Sequence, residues 1–240
     1  MNYNTTLYAL GAILLGAVGI YFHDFAMQWQ PVPAGIPWRV PLAYASGLLL
    51  IVGGGAILSR KGERGGALLL AAFYALWVVA LHLPNAIAAY QHIGAWNGPA
   101  ESGLMTMGGV ALFASSAGAL RGTLLKVARI LAGVCAIVFG CAHFNYIDFT
   151  ATMVPAWIPP NQTFWAWATG AGHLAAGLAL VSGFQARLAA TLLAAMMASF
   201  VLLLHIPRVV AAPGLHVEWI MLAVSSSLAG ATWLVRKYAT

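Results

Sequence analysis

Eight apolar runs of membrane-spanning length fill most of this chain, near residues 5–22, 42–59, 65–83, 102–120, 128–144, 163–182, 187–206 and 217–235. About 17–20 such residues cover roughly 30 Å of hydrocarbon as a helix rising about 1.5 Å per residue. Lipid offers no partner to backbone N–H and C=O groups, so only helices or closed barrels cross it. These runs lack the alternation of barrel strands. Composition agrees: 62% of the 240 residues are hydrophobic and 7% are charged, against about a quarter charged in soluble domains. That excludes a soluble globular domain, a disordered chain and a nucleic-acid binder. The expected fold is an all-α integral membrane protein with eight transmembrane helices in the lipid bilayer.

The eleven Lys and Arg residues orient the bundle. Arg60, Lys61, Arg64, Arg121, Lys126, Arg129, Arg187, Arg236 and Lys237 fall at one set of short connections, and only Arg39 and Arg208 fall at the other. This positive-inside bias predicts a multi-pass protein of a bacterial inner membrane with both termini cytoplasmic. The longer loops near 23–41, 84–101, 145–162 and 207–216 then face the periplasm. The first run lacks a charged leader and a small-residue cleavage site, and is expected to be retained as a span. All eleven prolines lie in or beside the outer loops, so the spans are expected to be largely unkinked. Trp29, Trp38, Trp96, Trp157, Trp165, Trp167 and Trp219 sit at the same outer level. An interfacial belt would mark both sides evenly, so the excess predicts Pro/Trp-rich loops capping the periplasmic face. Cys135 and Cys141 share one run, point in different directions on a helix, and read as packing residues.

The chain repeats itself at an offset of 122–123 residues. Val32-Pro33-Ala34-Gly35-Ile36-Pro37 matches Val154-Pro155-Ala156-Trp157-Ile158-Pro159, and Leu81-His82-Leu83-Pro84 matches Leu204-His205-Ile206-Pro207. Ala45-Ser46-Gly47 matches Ala168-Thr169-Gly170, and Trp96 matches Trp219. Matches through Pro, Trp and His are harder to obtain by composition alone than matches between apolar helices. They predict two parallel four-helix repeats, 1–122 and 123–240, related by an axis along the membrane normal.

The segment Gly140-Cys141-Ala142-His143-Phe144 followed by Met153-Val154-Pro155-Ala156-Trp157-Ile158-Pro159 resembles the first span and loop of DoxX-like four-helix membrane proteins. The last span, opened by Glu218-Trp219 and closed by Gly230-Ala231-Thr232-Trp233, fits the same family. The resemblance covers residues 125–240 and reaches the first half through the repeat. It implies kinship with membrane subunits of thiosulfate:quinone oxidoreductase, and carries no set of catalytic residues. Against that family the chain is a tandem duplication.

Chemistry must come from a small polar inventory at the outer side. His82 and His205 are paired by the repeat and each precedes a proline by two residues. His143 with Asp148, and His23 with Asp24, stand at the ends of the first spans, and Glu101 and Glu218 each open a fourth span. His82, His205, His143 and Glu218 are the catalytic candidates, and with Glu101, Asp24 and Asp148 they form the candidate metal set. His and carboxylate together suit a first-row transition metal, two histidines from different helices suit a haem, and a His beside a carboxylate suits proton exchange with a quinone. Set against this is the ordinary interfacial histidine bonded to a loop carbonyl. His173 lies mid-membrane, where an ionisable residue is costly. With His23 and Arg208 it completes the cofactor-binding candidates, and Arg208 faces either an anion or Glu218. The favoured reading is an oxidoreductase component linked to quinone, metal or haem at the periplasmic face, with a peripheral or membrane redox partner. The alternatives are a non-enzymatic binding or transport protein, or a scaffold for a peripheral enzyme.

Overall fold

The computed structural model describes residues 3–238 except Arg60, so one of the nine inner cations lies outside the described residues. The helices are α1 (Tyr3–Tyr21), α2 (Arg39–Leu58), α3 (Glu63–Leu76), α4 (Leu83–Ala88), α5 (Asn97–Ala114), α6 (Arg121–Asn145), α7 (Ile147–Met153), α8 (Gln162–Ser182), α9 (Ala186–Phe200), α10 (Ile206–Ala211) and α11 (His216–Tyr238), and no strand occurs among the described residues. Six continuous helical segments are long and apolar enough to cross a membrane: Arg39–Leu58, Glu63–Ala88, Gly118–Asn145, Gln162–Ser182, Ala186–Ala211 and His216–Lys237. Six of the eight expected spans thus meet that length and apolarity among the described residues. The apolar part of α1 is shorter, Thr5–Tyr21, and α5 opens on polar residues, with Asn97, Glu101, Ser102 and Thr106 in its first three turns.

Local chemistry sets several boundaries. Asn161 caps α8 by accepting the Phe164 N–H at 2.8 Å, and Gly183 closes it with φ of 86°. A left-handed residue at that position ends a helix without Cβ strain. Regular α geometry is interrupted at two places. A π-helical turn over Trp77–His82 joins α3 to α4, and one over Val201–His205 joins α9 to α10. Pro84 and Pro207 stand in the first turn beyond each. Proline removes an N–H and clashes with the carbonyl one turn back, and the wider turn absorbs both defects.

The packing interleaves the two halves of the chain. α1 lies along α2 and α11, α6 lies along α8 and α5, and α5 meets α11. Thus the first helix of each half rests on the last helix of the other. α11 is the most enclosed span, with 67% of its apolar window buried against 33–39% for the rest. Between α1 and α2 a Cβ on Gly47 would stand 2.6 Å from the Gly16 carbonyl, and one on Gly54 2.6 Å from the Ala9 carbonyl. Between α6 and α8 a Cβ on Gly140 would stand 3.0 Å from the Gly170 carbonyl, and one on Gly177 2.7 Å from the Gly133 carbonyl. Such contacts replace the hydrophobic drive that lipid does not supply between helices.

These glycines also set the register, 124 residues between α1 and α6 and 123 between α2 and α8. Trp96 Nε1 donates to the Tyr90 carbonyl and Trp219 Nε1 to the Pro213 carbonyl, six residues back in each case. The two indole anchors stand 123 residues apart. Glu101 then aligns with Val224 and not with Glu218, and His143 aligns with Gly19 and not with His23.

Candidate functional site

A cavity of about 670 Å³ lies within the second half and reaches into the first. α6 contributes Ala142 and His143, α7 Phe149 and Met153, α8 Trp165 and Thr169, and α9 with its π turn Phe200 and His205. α11 supplies Val224 and Ser225. Because α6 rests on α5, the first half adds Asn97 and Glu101, and its Met27–Trp29 turn adds Trp29. A smaller space of about 180 Å³ continues inward past His143 to His173, Met197 and Leu228. At the register of 123–124, the first half carries Leu50, Tyr74, Trp77 and Tyr8 where the second has His173, Met197, Phe200 and Ala132. All four are buried to within 2% exposure. Of these second-half residues, His173, Met197 and Phe200 line the smaller space.

The histidine tautomers follow from their bonds. His143 Nδ1 lies 2.8 Å from the Phe139 carbonyl and His173 Nδ1 2.9 Å from the Thr169 carbonyl, each one turn back on its own helix. A carbonyl only accepts, so both Nδ1 atoms donate, and each neutral ring keeps Nε2 as an acceptor. The two rings are 4.8 Å apart between centroids, tilted by 41°. Their contact leaves no space for a macrocycle between them.

Several polar atoms around the cavity lack partners. Trp29 Nε1, Asn97 Oδ1 and His205 Nδ1 are buried without a hydrogen bond. The Trp29 indole N–H lies beside the Glu101 carboxyl, outside hydrogen-bonding geometry. No ion pair reaches Glu101 among the described residues. Each unmatched buried group costs about 1–3 kcal/mol, and a native protein accepts that cost where a ligand or water completes the set.

The sequence candidates divide. His205, His143, Glu101 and His173 gather at the cavity and its inner extension. His82 does not line it. Its Nε2 donates to the Trp29 carbonyl at 3.0 Å, and its ring packs where a Cβ on Gly98 would lie, 2.6 Å from Cε1. It thereby places both Trp29 and the start of α5. Glu218 and Arg208 pair with each other: Nε to Oε2 and Nη2 to Oε1 are both 2.7 Å. That joins α10 to the first turn of α11, so Arg208 meets the carboxylate. Asp24 pairs with Arg39 at 2.7 Å, and His23 bonds the Tyr44 hydroxyl at 2.6 Å, both in the outer loop of the first half. Asp148 is exposed on α7. Among the described residues no three His, Cys, Asp or Glu side chains come together as a metal site. The candidate metal set is dispersed because Glu218 and Asp24 are each taken up by an arginine.

The expected cap is also narrower. Of the seven outer tryptophans only Trp29 is buried, whereas Trp38 is 77% and Trp157 71% exposed at the rim. Sequence reasoning missed Asn97 and the short helix α7. The signal for Asn97 was its place just after Trp96, the anchor that repeats as Trp219.

Residues 124–206 match the DoxX family model. The match runs from α6 into the first residue of α10. It includes His143, His173 and His205, while Trp29, Asn97, Glu101 and the α11 wall lie outside it. No curated protein and no solved structure matches the chain.

Proposed function

Taking residues 124–206 as a DoxX domain, we propose that the cavity binds the headgroup of a lipid-soluble quinone and that the protein is a quinone-linked component of an oxidoreductase in a bacterial inner membrane. The observation that carries this reading is one largely apolar cavity of about 670 Å³ whose lining includes Asn97, Glu101, His143 and His205. Ligand sites of this kind occupy roughly 300–1,000 Å³, with a few polar groups fixing orientation. A quinone ring offers two oxygens to such groups and an isoprenoid tail to the apolar wall and the bilayer. His143 and Glu101 stand where protons would be exchanged with a reduced ring. A redox partner at the outer face supplies or takes the electrons.

The test is direct. Protein purified from membranes in mild detergent is expected to carry quinone extractable by organic solvent at close to one per chain. Ala142→Phe and, separately, Ala168→Phe fill the cavity and are expected to lower that content at least tenfold while the protein stays monodisperse. Unchanged quinone content in both variants would remove the cavity from the reading.

The same proposal includes a duplicated architecture, two parallel four-helix repeats over 1–122 and 123–240, with the site at the periplasmic end and both termini cytoplasmic. The recurring glycine contacts and tryptophan anchors support the duplication. Reporter fusions after residues 62 and 123 are expected to read cytoplasmic, and those near 35 and 155 periplasmic. The inverse pattern would move the site to the cytoplasm.

A further inference from the structure

We infer that the apolar tail of the cavity's ligand leaves between α8 and α9 and lies in a groove along their lipid-facing seam, with Met196 at the crossing point. This deepens the quinone reading and rests on it.

The groove is a separate space of about 270 Å³, walled by Gly172, Ala175 and Ala176 of α8 and by Leu188, Leu192 and Met196 of α9. Met196 also lines the cavity, so one side chain borders both spaces. The cavity reaches the same seam from the outer side, where Trp165 and Thr169 of α8 face Ser199 of α9 and Leu203 of its π turn. Steps of three and four residues join Trp165, Thr169, Gly172 and Ala176 along α8. The same steps join Ser199, Met196, Leu192 and Leu188 along α9. Such steps keep side chains on one face of a helix. Cavity and groove thus follow one another down a single seam.

That seam is open to lipid. Trp165 and Leu203 are exposed at the cavity, and Leu188 and Leu192 are more than half exposed along the groove. At the junction a Cβ on Gly172 would stand 3.1 Å from Met196 Sδ. The end of Met196 therefore rests against α8 where a glycine leaves room. An unbranched thioether with three rotatable bonds can swing aside for a tail. In the first half Leu70 closes the corresponding point of the seam. At the register of 123, Gly53 and Leu70 stand where the second half has Ala176 and Leu193, and a Cβ on Gly53 would lie 2.6 Å from Leu70 Cδ2. Ala176 carries that Cβ, so Leu193 cannot take the same place.

Hydrocarbon of some kind fills a groove that faces lipid, and continuity with the cavity decides which. A ligand whose headgroup sits beside His143 and His205 must carry its tail out through a wall. The α8–α9 seam offers an exposed wall followed by a groove. From Met196 to Gln185 the groove runs along roughly 16 Å of helix axis. Lipid tails are as apolar as its walls, so the groove acts through shape and dispersion contacts and not through transfer from water.

The experiment uses the full-length protein in phosphatidylcholine vesicles. Two photoprobes carry a diazirine at the same depth, one in the alkyl tail of a benzoquinone and one in an acyl chain of phosphatidylcholine. Labelled residues are located by peptide mass spectrometry after irradiation. The quinone probe is expected to label residues 188–196, and an excess of the same quinone without the diazirine to suppress that label at least tenfold. Ala142→Phe fills the cavity, and Ala142 does not line the groove. It is expected to suppress the quinone label to the same degree while the phosphatidylcholine label changes less than twofold. A competed label on other residues, or a label at 188–196 that excess quinone leaves unchanged, overturns the route through the seam and leaves the cavity's ligand in place. No competed label on any residue, together with no quinone extractable from the purified protein, overturns the quinone reading itself.

Discussion

Replacing Gly177 by isoleucine is expected to destroy the packing of α6 against α8. A Cβ there would stand 2.7 Å from the Gly133 carbonyl oxygen and 2.8 Å from the Ile137 backbone nitrogen. Both are helix backbone, so neither can rotate away as a side-chain end would, and the helices must part. Overpacking against movable side chains costs about 1–3 kcal/mol, and a clash with backbone belongs at or above the top of that range. Helix association in lipid depends on close approach, so the loss is not recovered by burial elsewhere. A loss of about 3 kcal/mol lowers the melting temperature of a chain this size by roughly 10 °C. The control is Gly55→Ile, since a Cβ at Gly55 meets nothing within 4 Å. Thermal melting by size-exclusion in detergent should show Gly55→Ile close to the parent and Gly177→Ile well below it. If the two variants melt alike, the glycine contact does not hold the helices.

The second large effect belongs to the Arg208–Glu218 pair. Glu218 is 7% exposed at its side chain and Arg208 39%, and both nitrogens of the guanidinium fork meet carboxylate oxygens at 2.7 Å. Removing the arginine alone strands a buried carboxylate, which costs about 3–5 kcal/mol when the partner is lost. Arg208→Ala is therefore expected to lower the melting temperature by 10 °C or more. Arg208→Met combined with Glu218→Leu should recover most of the loss, because replacing both partners by apolar groups leaves no stranded charge. Arg208 Nη1 also reaches Met153 Sδ at 3.7 Å on α7, so the single variant is expected to loosen one cavity wall and weaken ligand retention. A single variant as destabilised as the double, or no more destabilised than an exposed arginine change, would show that stranding is not the cause.

Much of this molecule was written in the order of residues. The apolar runs and the shortage of charge dictated a helical membrane protein, because lipid permits no other spanning structure for such segments. Six runs became helices of spanning length. The two Leu-His-x-Pro segments, matched in sequence, both fall at the junction of a π turn and a short helix. The match of residues 124–206 to the DoxX family model was signalled by residues 140–159.

What tertiary structure alone decided is which polar residues meet. Glu101 reaches the cavity of the second half only because α6 packs on α5, an exchange between halves that no local pattern encodes. His82 and His205 look equivalent in sequence, yet one holds the Trp29 carbonyl and the other lines the cavity. Around the space, the second half has Met197 and Phe200 where the first half, at the same register, buries Tyr74 and Trp77. Glu218 left the candidate site because Arg208, ten residues before it, was within reach once α10 turned back onto α11. Sequence fixes local conformation through groups a few residues apart. A cavity is set by the volume that distant side chains leave unfilled, and that volume exists only after the helices have packed.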